Sequence, residues 1–142
     1  MTGPTRTRRH AARAVLILLV ALWVCAFICT HMPGRNIPST GMDDKKLHVV
    51  GFFVLASLLL LTLSSHLVPR APRMWLTLCI MAAYAAMDEL TQPWFGRGCE
   101  GLDWVSDMTG TAVAIIFWEL LFTTARTGSW LAKLAGRRAR RA

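Results

Sequence analysis

Polar side chains that could bind a ligand or transfer protons gather in three groups along this chain. Each group lies where a long apolar segment begins or ends. Carboxylates and imidazole can exchange protons or bind cations, and lysine and arginine can bind anionic groups. We expect these side chains to form one ligand-binding site, with no catalytic role assigned to any of them. The nine residues are Asp44, Lys45, His48, Asp88, Glu89, Gln92, Arg97, Asp103 and Asp107.

Helical spacing within each group predicts that its members point the same way. Residues three or four apart share one face of an α-helix. The pairs at this spacing are Lys45 with His48, Asp88 with Gln92, and Asp103 with Asp107. Three such pairs at one membrane depth would converge on a single outward-facing site.

Small residues lie about one turn from these carboxylates and predict close helix packing. Ala82 and Ala86 precede Asp88, and Gly110 and Ala114 follow Asp107. Small residues at i and i+4 let membrane helices approach closely. We therefore expect contact between the third and fourth apolar helices through these faces.

Carboxylates brought together in this way would repel one another. Lys45, Arg97, protonation or a bound cation would have to compensate. The metal alternative is Mg²⁺ or Ca²⁺ bound by Asp88, Asp103 and Asp107. No other cofactor is expected.

The elements that position these groups are apolar blocks of transmembrane length. The chain is 54% hydrophobic, and its mean hydropathy is +0.43. Blocks span about 14–30, 47–68, 74–90 and 104–125, close to the roughly 17–25 residues that cross a bilayer. The sequence predicts an all-α membrane protein, with a four-transmembrane-helix bundle over residues 14–125.

The distribution of cations predicts the orientation. Most of the 16 lysine and arginine residues lie in the flank 1–13, the loop with Arg70 and Arg73, and the tail 126–142. Positive flanks are retained in the cytoplasm. We expect a multi-pass protein of the cell membrane with both termini cytoplasmic. Outward-facing loops then hold Arg35, Lys45, Lys46 and Arg97.

The net charge of +8 does not indicate nucleic-acid binding, because the cations flank apolar spans. Anionic membrane lipid is the expected partner. The tail from Trp130 through Arg140 and Arg141 has two open interpretations, a short interfacial helix or a disordered basic segment.

Three further features have alternative interpretations. Cys29 and Cys99 could pair in an outward-facing compartment, and the sequence leaves this open. Glu119 is expected to be non-catalytic and to extend towards Arg126 at the cytoplasmic end. His48 is either a proton carrier or an interfacial hydrogen-bonding group.

The acidic groups have structural alternatives too. Asp88 and Glu89 could form ion pairs with Arg97 or Lys45 instead of binding a ligand. Asp103 and Asp107 could cap the amino-terminal end of the fourth helix.

Three motifs in order resemble those of the VanZ-like membrane proteins. The first is Asp44-Lys45-Lys46-Leu47-His48, similar to the family's Asp-Lys-x-x-His. The second is Asp88-Glu89-Leu90-Thr91-Gln92, similar to Asp-Glu-x-x-Gln. The third is Gly96-Arg97 followed by Asp103, Asp107 and Gly110, with Asp107 where the family more often has Asn. The resemblance covers residues 43–116.

The resemblance implies a membrane protein of the cell envelope, in a family whose namesake is associated with resistance to the glycopeptide teicoplanin. We expect a non-enzymatic protein that binds an envelope-related lipid, a lipid-linked precursor or a lipid-tailed glycopeptide. An enzyme acting on lipid-linked precursors is the first alternative, with His48 or Glu89 as acid or base. A small transporter or proton relay is the second.

Overall fold

Four α-helices make up most of the part of the chain that the computed structural model describes, residues 6–32 and 43–139. They are α1 (Arg6–His31), α2 (Asp44–Ser65), α3 (Arg70–Thr91) and α4 (Gly101–Ala139). A short 3-10 turn follows α3 at Gln92–Phe95. These described residues contain no strand, so the predicted all-helical class is confirmed.

Three of the helices extend beyond the apolar blocks that predicted them, whereas α2 begins three residues before the predicted block 47–68 and also ends three residues before it does. α3 begins at Arg70, and α4 continues without interruption to Ala139. The beginning of the basic tail, predicted at residue 126, is therefore not a helix boundary. Arg35 of the predicted outer loop and Arg140 and Arg141 of the tail lie outside the described residues.

Local chemistry explains where the helices begin and end. The Asp43 side chain accepts a hydrogen bond from the Lys45 backbone N–H at 3.2 Å and caps α2. Leu67 adopts a left-handed conformation with φ 65° after α2, and Pro69 then precedes the first residue of α3. Gly96, with φ 76°, ends the 3-10 turn in a conformation that glycine adopts without strain.

Within residues 6–32 and 43–139, three segments are long and apolar enough to cross a membrane. They are Arg9–His31, Asp44–Ser65 and Gly101–Ala125. The remaining helix, α3, has arginines in its first turn and carboxylates in its last, which makes it less apolar.

Contacts between helix ends show that the helices alternate in direction. The end of α1 meets the end of α3, where the Thr30 hydroxyl donates to Asp88 at 2.8 Å. The beginnings of α2 and α4 meet at His48 and Asp107, close to Glu89 near the end of α3. We call this the polar end of the bundle. At the opposite end, the first turn of α3 contacts the later part of α4.

The core is formed mainly by α2 and α3, with Leu19 entering from α1 and Ala114 from α4. Tyr84 connects α3 to two other helices. The centre of its ring lies 5.0 Å from that of Trp23 on α1 and 5.6 Å from that of Phe52 on α2. Burial of this cluster fixes the rotation of each helix. Its buried members are Leu19, Phe52, Leu55, Ala56, Leu59, Met81, Tyr84, Ala85 and Ala114.

The small residue Gly110 packs against α2, not against α3 as its spacing suggested. A Cβ added at Gly110 would collide with the Val49 carbonyl oxygen and lie 3.0 Å from the Phe53 backbone nitrogen. The most extensive helix contact is accordingly that between α2 and α4. Ala114 is fully buried in the core. On α3, Ala82 and Ala86 are only half-buried, whereas the preceding residues Met81 and Ala85 are fully buried.

Large apolar side chains cover much of the outer surface. On α1 they include Ile17 and Ile28, exposed by 69% and 55%, and on α4 Ile116 and Leu120, exposed by 60% and 63%. Contiguous exposure of this kind is unusual for a protein surrounded by water, whereas a bilayer would cover it.

Candidate functional site

Most of the polar residues predicted from the sequence meet at the polar end of the bundle. Asp44, Lys45 and Arg97 lie at the rim, where Asp44 is exposed and the other two are half-buried. The other six are buried, and two carboxylates have no exposed surface at all. The buried residues are His48, Asp88, Glu89, Gln92, Asp103 and Asp107.

His48 lies between the two aspartates of α4. Its Nδ1 is 2.8 Å from Asp107 Oδ1, and its Nε2 is 3.9 Å from Asp103 Oδ2. Asp103 also faces the Lys45 ammonium group, whose Nζ is 3.4 Å from Asp103 Oδ1 and 3.2 Å from Glu100 Oε2. The predicted pairings Lys45 with His48 and Asp103 with Asp107 therefore face one shared cluster.

Asp88 belongs to a neighbouring cluster at the ends of α1 and α3. Its Oδ1 accepts from the Thr30 hydroxyl at 2.8 Å, and its Oδ2 accepts from Gln92 Nε2 at 3.1 Å. His31 Nδ1 lies 3.7 Å from Oδ1. The predicted pair of Asp88 with Gln92 is thus a direct hydrogen bond.

Glu89 connects the two clusters through its oxygens. Oε2 accepts from the Glu100 backbone N–H at 2.9 Å, and Oε1 accepts from Gln92 Nε2 at 3.5 Å. The ion pairs considered for Asp88 and Glu89 are not formed with the two rim cations. Arg97 pairs instead with Asp44, at 3.4 Å, and Lys45 pairs with the carboxylates on and before α4.

The capping interpretation of the α4 aspartates accounts for one of them at most. Asp103 lies in the first turn, where the helix dipole favours negative charge. Asp107 lies a turn further on and bonds to His48. Tertiary contact between α2 and α4 therefore explains its position better than local capping does.

Residues of α1 contribute to the polar end although sequence reasoning did not select them. His31 Nε2 lies 2.8 Å from the Thr91 hydroxyl, and its ring stacks on Phe27 with centroids 3.9 Å apart. The signal was present in the sequence, since Thr30 and His31 end an apolar run at the depth of the predicted site.

A second signal was the polar periodicity of α3. Arg73, Thr77, Tyr84 and Asp88 recur at helical spacing, and all four are buried. Such a stripe on an apolar helix indicates a face turned towards the bundle interior.

Glu119 is buried in an ion-pair network at the end of the bundle opposite the polar end. The sequence had instead predicted that its side chain extends along the helix surface. Its Oε2 lies 2.7 Å from Arg70 Nε, and its Oε1 accepts from Arg73 NH2 at 2.6 Å. Arg73 is itself buried, with its guanidinium 4.8 Å from the centre of the Phe122 ring. Arg70 and Arg73, which the sequence analysis assigned to a cytoplasmic loop, thus connect α3 to α4 through ion pairs with Glu119.

The cysteines do not form the disulfide left open by the sequence. Cys29 and Cys99 are both free and exposed. Because Cys29 lies on an apolar helix, its exposure does not show that it contacts water.

A cavity of about 340 Å³ opens beside the polar end, mainly between α1 and α2. Asp44, His48 and Arg97 lie at one end of it, and Tyr84 contributes from α3. Its remaining wall is mostly apolar and consists of Ala26, Cys29, Thr30, Leu47, Gly51, Phe52 and Leu55.

Two groups of side chains have metal-ligating atoms within 4.8 Å of one another. One is Asp44, His48 and Asp103, and the other is His48, Glu89 and Asp107. Asp88 belongs to neither group. The two groups therefore differ from the predicted metal-binding set of Asp88, Asp103 and Asp107, and both of them include His48.

The fold and site define a class, a small all-helical bundle with an apolar exterior and a buried, acid-rich site at one end. No protein family, curated protein or solved structure gave a significant match to the chain. Similarity to the VanZ-like proteins remains a prediction from three short motifs.

Proposed function

We propose that this chain is a VanZ-like integral protein of the cell membrane that binds the anionic head group of an envelope lipid at its polar end. In this proposal all four helices cross the bilayer, both termini are cytoplasmic, and the polar end faces outward. The alternating helix directions and the cationic flanks support this arrangement. The 22 residues of α3 would extend about 33 Å at 1.5 Å per residue, enough for a span.

The observation on which the ligand class rests is the cavity beside the polar end. Charged side chains lie at one of its ends, and apolar side chains form most of its wall. Along α2 the lining extends from Asp44 to Leu55, roughly 16 Å at the helical rise of 1.5 Å per residue. An amphiphile matches this division, because its head group can meet the charges while its chain lies against the apolar wall.

Arg97 is the group best placed to bind the head group. Its one ion pair among the described residues is with the exposed Asp44 carboxylate, at the long distance of 3.4 Å. A phosphate offers more acceptor oxygens to the Arg97 guanidinium than the single Asp44 oxygen that it now contacts. We therefore favour a phosphate-bearing lipid over a neutral one.

The proposed link to teicoplanin-type glycopeptides depends on the motif resemblance alone. A lipid-tailed glycopeptide would offer the same combination of polar head and apolar tail. Susceptibility of cells with and without the protein tests this link separately.

One observation favours a second candidate, an enzyme acting on lipid-linked envelope precursors. His48 lies on the cavity wall and is 2.8 Å from Asp107. A carboxylate that orients a histidine is a recurrent arrangement in general acid–base catalysis. Conversion of a bound lipid, measured by mass spectrometry, distinguishes this candidate from a binding protein.

The test compares two lipids that differ only in the head group, a polyprenyl monophosphate and the polyprenol of the same length. Purified full-length protein in nanodiscs should bind the phosphate more tightly. Arg97→Gln should weaken phosphate binding about 10-fold or more and leave polyprenol binding unchanged, because one charge-assisted interaction is lost. Gly51→Leu, which fills the cavity wall, should weaken both.

Lys46→Gln is the matched control, because Lys46 is an exposed cation of α2 outside the cavity lining. It should bind both lipids as the wild type does. Equal affinity of the wild type for the two lipids, or an equal loss in Lys46→Gln and Arg97→Gln, would contradict the proposed head-group site.

A further inference from the structure

Three buried side chains from three helices converge at the inner part of the polar end. They are His48 of α2, Glu89 of α3 and Asp107 of α4, exposed by 6%, 4% and 0%. Each offers a ligating atom within 4.8 Å of the other two. Imidazole nitrogen and carboxylate oxygen are the common protein ligands of first-row divalent metals.

One oxygen of this cluster lacks a partner among the described residues. Asp107 Oδ1 is 2.8 Å from His48 Nδ1, but Asp107 Oδ2 has no hydrogen-bond partner there although the residue is fully buried. Leaving a buried polar atom unpaired is costly, and for a charged group the cost is higher. A ligand at this oxygen would remove that cost.

The charges of the cluster indicate a cation. Within the residues that the structure describes, no lysine or arginine forms an ion pair with Glu89 or Asp107. The outer group differs, because its two carboxylates already face cations. Arg97 pairs with Asp44, and Lys45 pairs with Asp103. The inner group is therefore the one whose carboxylates have no lysine or arginine partner among the described residues.

Neighbouring groups would orient the three ligands. His48 presents Nδ1 to Asp107, and its Nε2 lies 3.9 Å from Asp103 Oδ2, so a proton on Nε2 points towards a second carboxylate. The Glu89 oxygens accept hydrogen bonds from the Glu100 backbone and from Gln92. A carboxylate behind a ligating histidine and hydrogen bonds to ligating carboxylates are typical of metal centres.

We propose that His48, Glu89 and Asp107 bind one divalent first-row metal ion, Mn²⁺ or Zn²⁺. The ion replaces the proton shared by His48 Nδ1 and Asp107 Oδ1, which is released to solvent, so that His48 Nδ1 and the two carboxylates become its protein ligands. Asp103 and Gln92 hold those ligands in position. The mixed nitrogen and oxygen set favours these ions over Mg²⁺, for which imidazole is a poor ligand. His48 also lines the cavity, so the ion lies next to the space assigned to the lipid head group.

This inference does not depend on the proposed lipid, because the metal alone is the probe. Full-length protein, treated with a chelator and returned to detergent buffer, is titrated with Mn²⁺, Zn²⁺ and Mg²⁺. We expect one Mn²⁺ or Zn²⁺ per chain and at least about 10-fold weaker Mg²⁺ binding. Asp107→Asn and Glu89→Gln should each weaken Mn²⁺ binding by about 100-fold or more, since loss of outer-shell groups already costs 10–100-fold.

Glu100→Gln is the matched control. Glu100 lies at the same end but belongs to neither ligand group, and its side chain is 61% exposed and pairs with Lys45. Glu100 contacts Glu89 through its backbone N–H, which the substitution keeps. Because exposed ion pairs contribute little, its replacement should leave the metal affinity within about threefold of the wild type.

A measurement on the wild type avoids the risk that a variant misfolds. Electron spin-echo spectroscopy of the Mn²⁺-loaded protein should show coupling to an imidazole nitrogen, and His48→Gln should abolish it. Absence of stoichiometric metal in the wild type, Mg²⁺ binding as tight as Mn²⁺ binding, or a bound Mn²⁺ without nitrogen coupling would each overturn the assigned site. Failure of lipid binding with an intact metal site would instead contradict only the proposed lipid ligand.

Discussion

Asp88 and Asp107 are buried to the same extent, yet their surroundings differ. Both oxygens of Asp88 accept hydrogen bonds from neutral side chains, those of Thr30 and Gln92. Asp107 has one contact, to His48, and one oxygen without a partner among the described residues. A buried carboxylate with hydrogen bonds to both oxygens is typical of a structural role. A buried carboxylate with one oxygen that lacks a hydrogen-bond partner is typical of a binding site.

The same reasoning changes what a substitution at Glu119 should do. Sequence alone predicted a non-catalytic Glu119 extending towards Arg126, but Glu119 is 5% exposed and faces Arg70 and Arg73. Glu119→Gln would leave the buried Arg73 guanidinium without its counter-charge. We expect a loss of about 3–5 kcal/mol in the free energy of unfolding, measured by thermal denaturation in detergent.

Glu100→Gln is the control for this prediction. Glu100 also contacts a cation, Lys45, but its side chain is 61% exposed, and exposed ion pairs contribute little to stability. Its melting temperature should stay close to that of the wild type. Similar losses in the two variants would show that burial of Glu119 is not what makes it important.

At the scale of elements, the contact between α2 and α4 decides how the site is assembled. Gly110 lies where α4 approaches the α2 backbone most tightly, at Val49 and Phe53. Gly110 is three residues from Asp107 along α4, and Val49 is the residue next to His48 on α2, so this contact sets the distance between the His48 and Asp107 side chains.

Gly110→Ala should therefore destabilise the bundle. The added Cβ would meet backbone atoms of α2, which cannot move aside as a flexible side chain can. Overpacking of this kind costs about 1–3 kcal/mol or more, and α2 and α4 should separate. Thermal unfolding in detergent measures the loss, and Mn²⁺ affinity should fall with it.

Gly51→Ala provides the matched comparison within α2. A Cβ at Gly51 would have no atom within 4 Å, and alanine has a higher helix propensity than glycine. Stability should be unchanged or slightly increased. A Gly110→Ala protein as stable as Gly51→Ala would show that the helices are not in the close contact described.

At the scale of the whole molecule, helix direction connects the site to one side of the membrane. The polar end contains the end of α1, the beginning of α2, the end of α3 and the beginning of α4. If all four helices span the bilayer, the two termini share the opposite side. The orientation then depends on the cationic flanks.

Labelling of Cys99 tests this topology in the full-length protein. Cys99 is exposed in the segment between α3 and α4, so a membrane-impermeant maleimide should modify it in intact cells after Cys25, Cys29 and Cys79 are replaced by alanine. In that background, with Cys99→Ala as well, Ala142→Cys should react only after lysis. The reverse pattern would contradict the orientation, and labelling of both in intact cells would contradict a membrane crossing between residues 99 and 142.

The sequence by itself determined the helical class and the position of the polar groups near helix ends. Apolar length and charge distribution are local properties, and they place His48, Asp88 and Asp107 at the ends of apolar segments without any knowledge of the fold. Helical spacing also predicted that Asp88 and Gln92 share a face, and they form a hydrogen bond there.

Only the tertiary structure decided which polar groups became partners. Rotation of each helix about its axis depends on how side chains from distant parts of the chain pack, and spacing within one helix contains no information about that. Arg97 therefore pairs with Asp44, Gly110 lies against α2, and Glu119 meets Arg73. The core around Tyr84 fixes these rotations, because close packing allows few alternative arrangements of four helices.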